Sequence, residues 1–159
     1  MDSSHPARMS PEEFNRLTEE RTPFKQIFGF HVEAIGHGSA RCRLPASESA
    51  LRPGGTISGP AQMALADYAL YAAILGALGE VAEAVTTNLT INFLVRPQPG
   101  DLVADCRLLK LGRRLAVGEG DIRDAGGTLV SHCTATYSIP PAAASGTATV
   151  GTAAGPREA

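Results

Sequence analysis

The stretch SGPAQMALADYALYAAILGALG, Ser58 to Gly79, decides how the rest of the chain must be arranged. Ser58 or Gly59 opens a helix, Pro60 suits its first turn, and Gly79 suits its C-terminal cap. The Leu, Ala and Met residues in between are good helix formers. Apolar side chains lie on nearly every side of this helix, so other parts of the protein must cover it on nearly every side. Its length also suits a membrane span. Gln62, Asp67, Glu80 and Glu83 in and beside it argue against that reading, because a carboxylate near the middle of a lone span is costly.

Downstream of this helix the hydrophobic period falls to two. Leu89, Ile91, Phe93 and Val95 alternate with Thr90, Asn92 and Leu94, a strand pattern. Pro97 to Asp101 reads as a turn and Leu102 to Lys110 as a strand. Leu111-Gly112-Arg113 turns the chain into a strand from Leu115 to Arg123. Asp124 to Gly127 is a hairpin turn before a last strand, Leu129 to Ile139. Read this way, the last four strands form an antiparallel meander. Upstream, Phe30 to Ile35 and Ser39 to Leu44 are strands joined by a turn at Gly36-His37-Gly38, and Ala46 to Ile57 is a loop. Ser10-Pro11-Glu12-Glu13 has the form of a capped helix start, and Thr22-Pro23 breaks that helix. The expected architecture is α+β, an antiparallel sheet wrapped around one long central helix. Residues 1–27 form an N-terminal helix and linker, 28–139 the domain, and 140–159 a disordered tail poor in anything to bury.

The totals narrow the function. One domain is expected from 159 residues, with 43% apolar and 5% aromatic, so the core is aliphatic. A net charge of −2 without a basic stripe speaks against nucleic acid as a partner. Cys42, Cys106 and Cys133 are widely spaced, and so are the four histidines, so neither gives a metal site. Odd, scattered cysteines and a polar N-terminus without a signal-like apolar core fit a cytoplasmic protein.

Three further stretches carry a family resemblance. Arg52 to Asp67 is similar to an Asn-x-x-Gly-x-x-His-Gly-Gly-x-x-x-x-Leu-x-Asp pattern. Thr86 to Phe93, continuing to Pro97 and Gly100, is similar to a strand pattern of the same family. Leu111-Gly112-Arg113, with Asp124, Gly126 and Leu129-Val130, is the third. Together, over about Phe28 to Ile139, the chain resembles hotdog-fold acyl-CoA thioesterases of the phenylacetate-degradation (PaaI-like) type. Arg52 stands where that pattern has Asn, and Ser58-Gly59-Pro60 where it has His-Gly-Gly. The resemblance implies a hotdog fold, an acyl-CoA substrate, no cofactor, and a homodimer or homotetramer with sites between subunits.

Thioester hydrolysis needs an activated water or a nucleophile, and donors aimed at the developing oxyanion. Asp67 is the candidate base or nucleophile, sharing a helix face with Met63, Leu70, Tyr71 and Ile74. A buried Asp bonded to a neighbouring hydroxyl is the plainer alternative. Gly59 is the candidate oxyanion donor, because N–H groups at a helix start lack partners. Pro60 has no N–H, so Ala61 or Gln62 would supply any second donor. Gly59 and Asp67 are separated by about 12 Å along one helix, which points to a site completed by an antiparallel helix of a second subunit. Arg52, Ser58, Gln62, Thr86, Thr87 and Arg113 are candidate substrate contacts. Thr86 and Thr87 also suit a strand on β propensity alone. Two rival functions stay open: a non-hydrolytic acyl-CoA binder or sensor, and a hotdog dehydratase in which His37 or His132 meets Asp67.

Overall fold

The computed structural model describes residues 5–81 and 83–141. The expected tail lies outside these from residue 142 onward. Helix α1 (Pro11–Arg21) begins with the expected capping box between Ser10 and Glu13. Pro23 does not lead into a linker. It occupies the first turn of a second short helix, α2 (Pro23–Phe28), closed by Gly29 in the left-handed region. Strands β1 (His31–Gly36) and β2 (Ser39–Leu44) follow, then a small hairpin of β3 (Leu51–Arg52) and β4 (Thr56–Ile57). The central helix α3 runs Gly59–Leu78, capped by the Ser58 hydroxyl, which accepts from Ala61 N–H, and closed at Gly79. Strands β5 (Val85–Phe93), β6 (Leu102–Leu111), β7 (Leu115–Asp124) and β8 (Leu129–Ser138) complete the chain.

Six strands form one antiparallel sheet in the order β1-β2-β6-β7-β8-β5. The meander expected for the last four strands is therefore limited to β6, β7 and β8. Strand β5 pairs with β8 at the far edge, and the chain from Leu94 to Asp101 crosses back past β8 and β7 to reach β6. Two prolines, Pro97 and Pro99, and the bonds from Leu94 and Val95 N–H to Val130 O keep this connection from folding into a tight hairpin.

The sheet curls around α3, which packs on β2 and β6 most extensively. Leu65, Leu70, Ile74 and Leu75 are fully buried, each contributing about 1.5–3 kcal/mol of hydrophobic stabilisation. This helix is long and apolar enough to cross a membrane, yet most of it is buried inside the protein. Cover is incomplete along one stripe. Pro60 and Met63 are exposed, and Ala64, Asp67 and Tyr71 are half-buried. The Tyr71 end of the stripe is covered by α1, through the contact of Phe14 with Tyr68 and Tyr71.

The two edges of the sheet differ. At β1 the Asn15 side chain of α1 bonds both the N–H and the carbonyl of Val32, taking the place of a neighbouring strand. Strand β5 has no such cover among the described residues, and Val85, Phe93, Leu94 and Val95 are exposed along and just beyond it. Inside, Cys106 and Cys133 flank Gly120 on adjacent strands. With one strand between them their backbones are about 10 Å apart, beyond the reach of a disulfide, and all three cysteines are free and buried.

Close approach of α3 to the β1–β2 turn depends on Gly76. A Cβ there would stand 2.5 Å from both Gly36 O and Ile35 Cγ2. Alanine favours a helix over glycine by about 1 kcal/mol, but overpacking against backbone costs about 1–3 kcal/mol. Gly76→Ala is expected to lower the urea midpoint; a raised midpoint would contradict this packing.

Candidate active site

Asp67 lies midway along α3, on the incompletely covered stripe, and its carboxylate is tied on one side only. Thr86 Oγ1 donates to Asp67 Oδ1 at 2.7 Å, and the Tyr137 hydroxyl donates to the same oxygen at 2.5 Å. Tyr137 OH also lies 2.8 Å from the Asp67 main-chain oxygen. Asp67 Oδ2 accepts no hydrogen bond among the described residues. Thr86 and Tyr137 are direct cross-strand partners on β5 and β8. A β-bulge between Thr86 and Asn88 makes this possible. It shifts the alternation of β5, so that Thr86 faces the helix along with Leu89 and Ile91. Thr87, at the bulge, is exposed and donates to Thr136 O instead.

Around Asp67, Thr86 and Tyr137 is a recess of about 160 Å³, walled also by Tyr68, Tyr71 and Thr18 of α1. Burial first, and the adjacent Asp67 charge second, push the Tyr137 phenol well above its ordinary range, so it stays a protonated donor. Arg113 is exposed in the β6–β7 turn, at the same end of the sheet as Thr86 and Tyr137.

Gly59 sits at the other end. A Cβ on it would approach the Phe93 ring to 3.2 Å, and Phe93 closes β5. No acceptor is found for Gly59 N–H among the described residues. The next two N–H groups of the helix are not available as further donors: Ala61 N–H bonds Ser58 Oγ at 3.3 Å and Gln62 N–H bonds Ser58 O at 3.2 Å. With Pro60 between them lacking an N–H, Gly59 is left as the single free donor of this turn. Ser58 thus acts as the helix cap. Arg52 is exposed in the β3–β4 hairpin. The hairpin is held to the crossover by Arg96 on Gly54 O and by Thr56 on Pro97 O.

The structure brings Asp67 together with Thr86, and Gly59 together with Ser58, but it does not bring these two groups together within one chain. From Thr86 to Phe93 along β5 is roughly 20 Å. The side chain of Gln62 points into the protein, where its Oε1 accepts from the fully buried Ser131 hydroxyl at 2.9 Å. The histidines stay apart from Asp67. His132 projects from the outer face of β8 and pairs with Asp121 at 2.9 Å, while His37 lies in the β1–β2 turn beside His5. An Asp67–His pair of the dehydratase kind is absent among the described residues. Tyr137 was missed from sequence because it reads as one more inward strand residue. Only its pairing with Thr86 across the β5 bulge reveals it.

The thioesterase superfamily model matches residues 54–131. A candidate thioesterase from Silicibacter sp. TM1040, of known structure, is 42% identical, with a TM-score of 0.76 over 85% of this chain and 94% of that one. This chain belongs to the thioesterase superfamily. Its sheet and central helix are the hotdog fold, as expected from sequence, and thioester hydrolysis is the general chemistry of the family. A candidate esterase from Saccharolobus solfataricus is 28% identical over 131 residues, 82% of this chain and 86% of that protein. A variant of the phenylacetic acid degradation protein PaaI from Thermus thermophilus is 25% identical, with a TM-score of 0.67 over 74% of this thioesterase-superfamily chain and 99% of PaaI.

The Gln62–Ser131 bond generates a stability prediction. Gln62→Ala leaves the Ser131 hydroxyl buried without its acceptor, and unfolding in urea should show a loss of about 1–3 kcal/mol. An unchanged midpoint would mean that the bond contributes nothing to the fold.

Proposed function

We propose that the protein hydrolyses an acyl-CoA thioester at a site shared by two copies of the chain. The observation that carries this reading is the placement of the two half-sites at opposite ends of the uncovered edge strand. If β5 pairs antiparallel with β5 of a second copy, the Thr86 end of one strand lies beside the Phe93 end of the other. Asp67 of one copy then faces Gly59 of its partner, and the two-fold axis makes two such sites. The same association covers the exposed apolar residues of β5 and the Met63 stripe of α3, which a solitary chain leaves in water. The required unit is a homodimer, and a homotetramer would pair two of them.

Within that site Gly59 N–H donates to the thioester oxygen, where negative charge develops. The positive end of α3 strengthens it. Asp67 works through Oδ2, either taking a proton from the attacking water or attacking the carbonyl carbon directly. With water as nucleophile, the C–O bond forms, the tetrahedral intermediate collapses, the C–S bond breaks, and the CoA thiolate leaves and is protonated. With Asp67 as nucleophile, the Oδ2–C bond forms, the C–S bond breaks, the CoA thiolate leaves and is protonated, and water then cleaves the aspartyl anhydride to regenerate the carboxylate. Either way the products are the free acid and CoA, and no metal or redox group enters the balance. Arg52 and Arg113 are exposed, one on each half-site, and in the dimer they flank one mouth, where cations suit the CoA phosphates. The three free, buried thiols fit a cytoplasmic setting.

A second reading, acyl-CoA binding without hydrolysis, draws on one observation: Gly59 N–H is the lone free donor of its turn, which weakens the oxyanion site. Release of free CoA thiol from short, medium, long and aromatic acyl-CoAs separates the two. Turnover that falls by roughly 10²–10⁴-fold in Asp67→Ala, with the fold intact by circular dichroism, is the expected result. Stoichiometric acyl-CoA binding with no thiol release from the wild type would establish the binding protein instead.

A further inference from the structure

We propose that Tyr137 is a positioning residue for Asp67, holding its carboxylate so that Oδ2 alone is free to act on the substrate. This rests on the role of Asp67 given above. The terminal torsion of an aspartate is broad and roughly two-fold, so an untethered carboxylate exchanges its two oxygens. Here Oδ1 receives two donors, Tyr137 at 2.5 Å and Thr86 at 2.7 Å, from directly paired positions on neighbouring strands. Exchange would break both bonds at once.

The two donors are not equivalent. Thr86 is half-buried on the edge strand, next to a bulge. Tyr137 is 2% exposed and lies on β8, which is paired on both sides. The phenol is therefore the fixed point and the threonine an auxiliary. A tie that served only to join β8 to α3 needs no more than the main-chain oxygen of Asp67, 2.8 Å away. The phenol has one proton to give, and the shorter distance directs it to the carboxylate, where it acts on the orientation of the reactive group. Because the phenol is held protonated by its burial and by the neighbouring charge, it donates across the working pH range.

Tyr137→Phe removes the hydroxyl and keeps the ring. Hydrogen bonds to a charged group are the stronger kind, and the expected result is a kcat about ten- to a hundred-fold lower with KM changed less than about threefold. Thr86→Val should lose less, Thr86→Ser should keep most of the rate, and Tyr137→Phe/Thr86→Val should lose more than the product of the single losses, since either donor alone still hinders exchange. Rates are taken per folded protein, so a purely structural role would leave kcat unchanged. If Asp67→Ala keeps the wild-type rate, both this inference and the role of Asp67 fall. If Asp67→Ala is inactive while folded Tyr137→Phe turns over like wild type, only the positioning role falls. Strict additivity in the double variant would overturn it; should Tyr137→Phe fail to fold, the Thr86 variants at the sheet edge carry the test alone, and a loss in Thr86→Ser equal to that in Thr86→Val would overturn it.

Discussion

A helix that is apolar on nearly every side sets the terms for the rest of this molecule. One curved sheet can wrap most of α3 but cannot close over it, and the stripe through Pro60, Met63 and Asp67 is what the sheet leaves open. The gap lies beside β5, the sheet edge left without cover among the described residues. On the opposite edge, Asn15 of α1 supplies the two hydrogen bonds that a further strand would have made to Val32. In the proposed dimer, the asymmetry between a capped β1 and an open β5 gives incomplete burial a preferred direction of association.

Chemistry follows from the same gap. Asp67 is held on the incompletely covered stripe, half-buried and lining a recess, with Oδ2 left without a donor among the described residues. Gly59, with an N–H that nothing in its own helix turn satisfies, lies at the start of the same helix. In the proposed site neither is complete alone. The distance between them along α3, and the greater distance along β5, is awkward for a single chain but natural for two chains related by a two-fold axis.

Much of the fold was legible in the sequence because it depended on local signals. The central helix, its Ser58 cap and its Gly79 stop stand where expected, and most strands differ by only a residue or two. The strand order was less legible. The Pro97–Asp101 segment has the composition of a hairpin turn, and only tertiary pairing of β5 with β8 shows that it is a crossover. Thr22-Pro23 marked a break correctly, but a proline that ends one helix can equally begin another, and here it begins α2. At the candidate site, Asp67 and Gly59 could be picked out by their positions on the helix. Tyr137 could not, because its contact with Asp67 alongside Thr86 depends on a bulge one strand away. Ser58 and Gln62 looked like substrate contacts, and the structure gives each a bond within the fold: a helix cap for one, a buried tie to Ser131 for the other.

The central claim, that Asp67 of one copy works with Gly59 of another, can be tested by complementation. Gly59→Pro removes the donor N–H at a position where the backbone already starts a helix, and Asp67→Asn removes the base while keeping its shape. Each variant alone should be inactive. When the two are mixed, dissociated and reassociated at equal amounts, half of the dimers should be hybrids, each with one intact site and one doubly altered site. Recovery of about a quarter of the wild-type rate is the predicted result for a site shared across a two-fold axis. No recovery, with hybrid dimers shown to be present, would place both groups in the same chain and contradict the account.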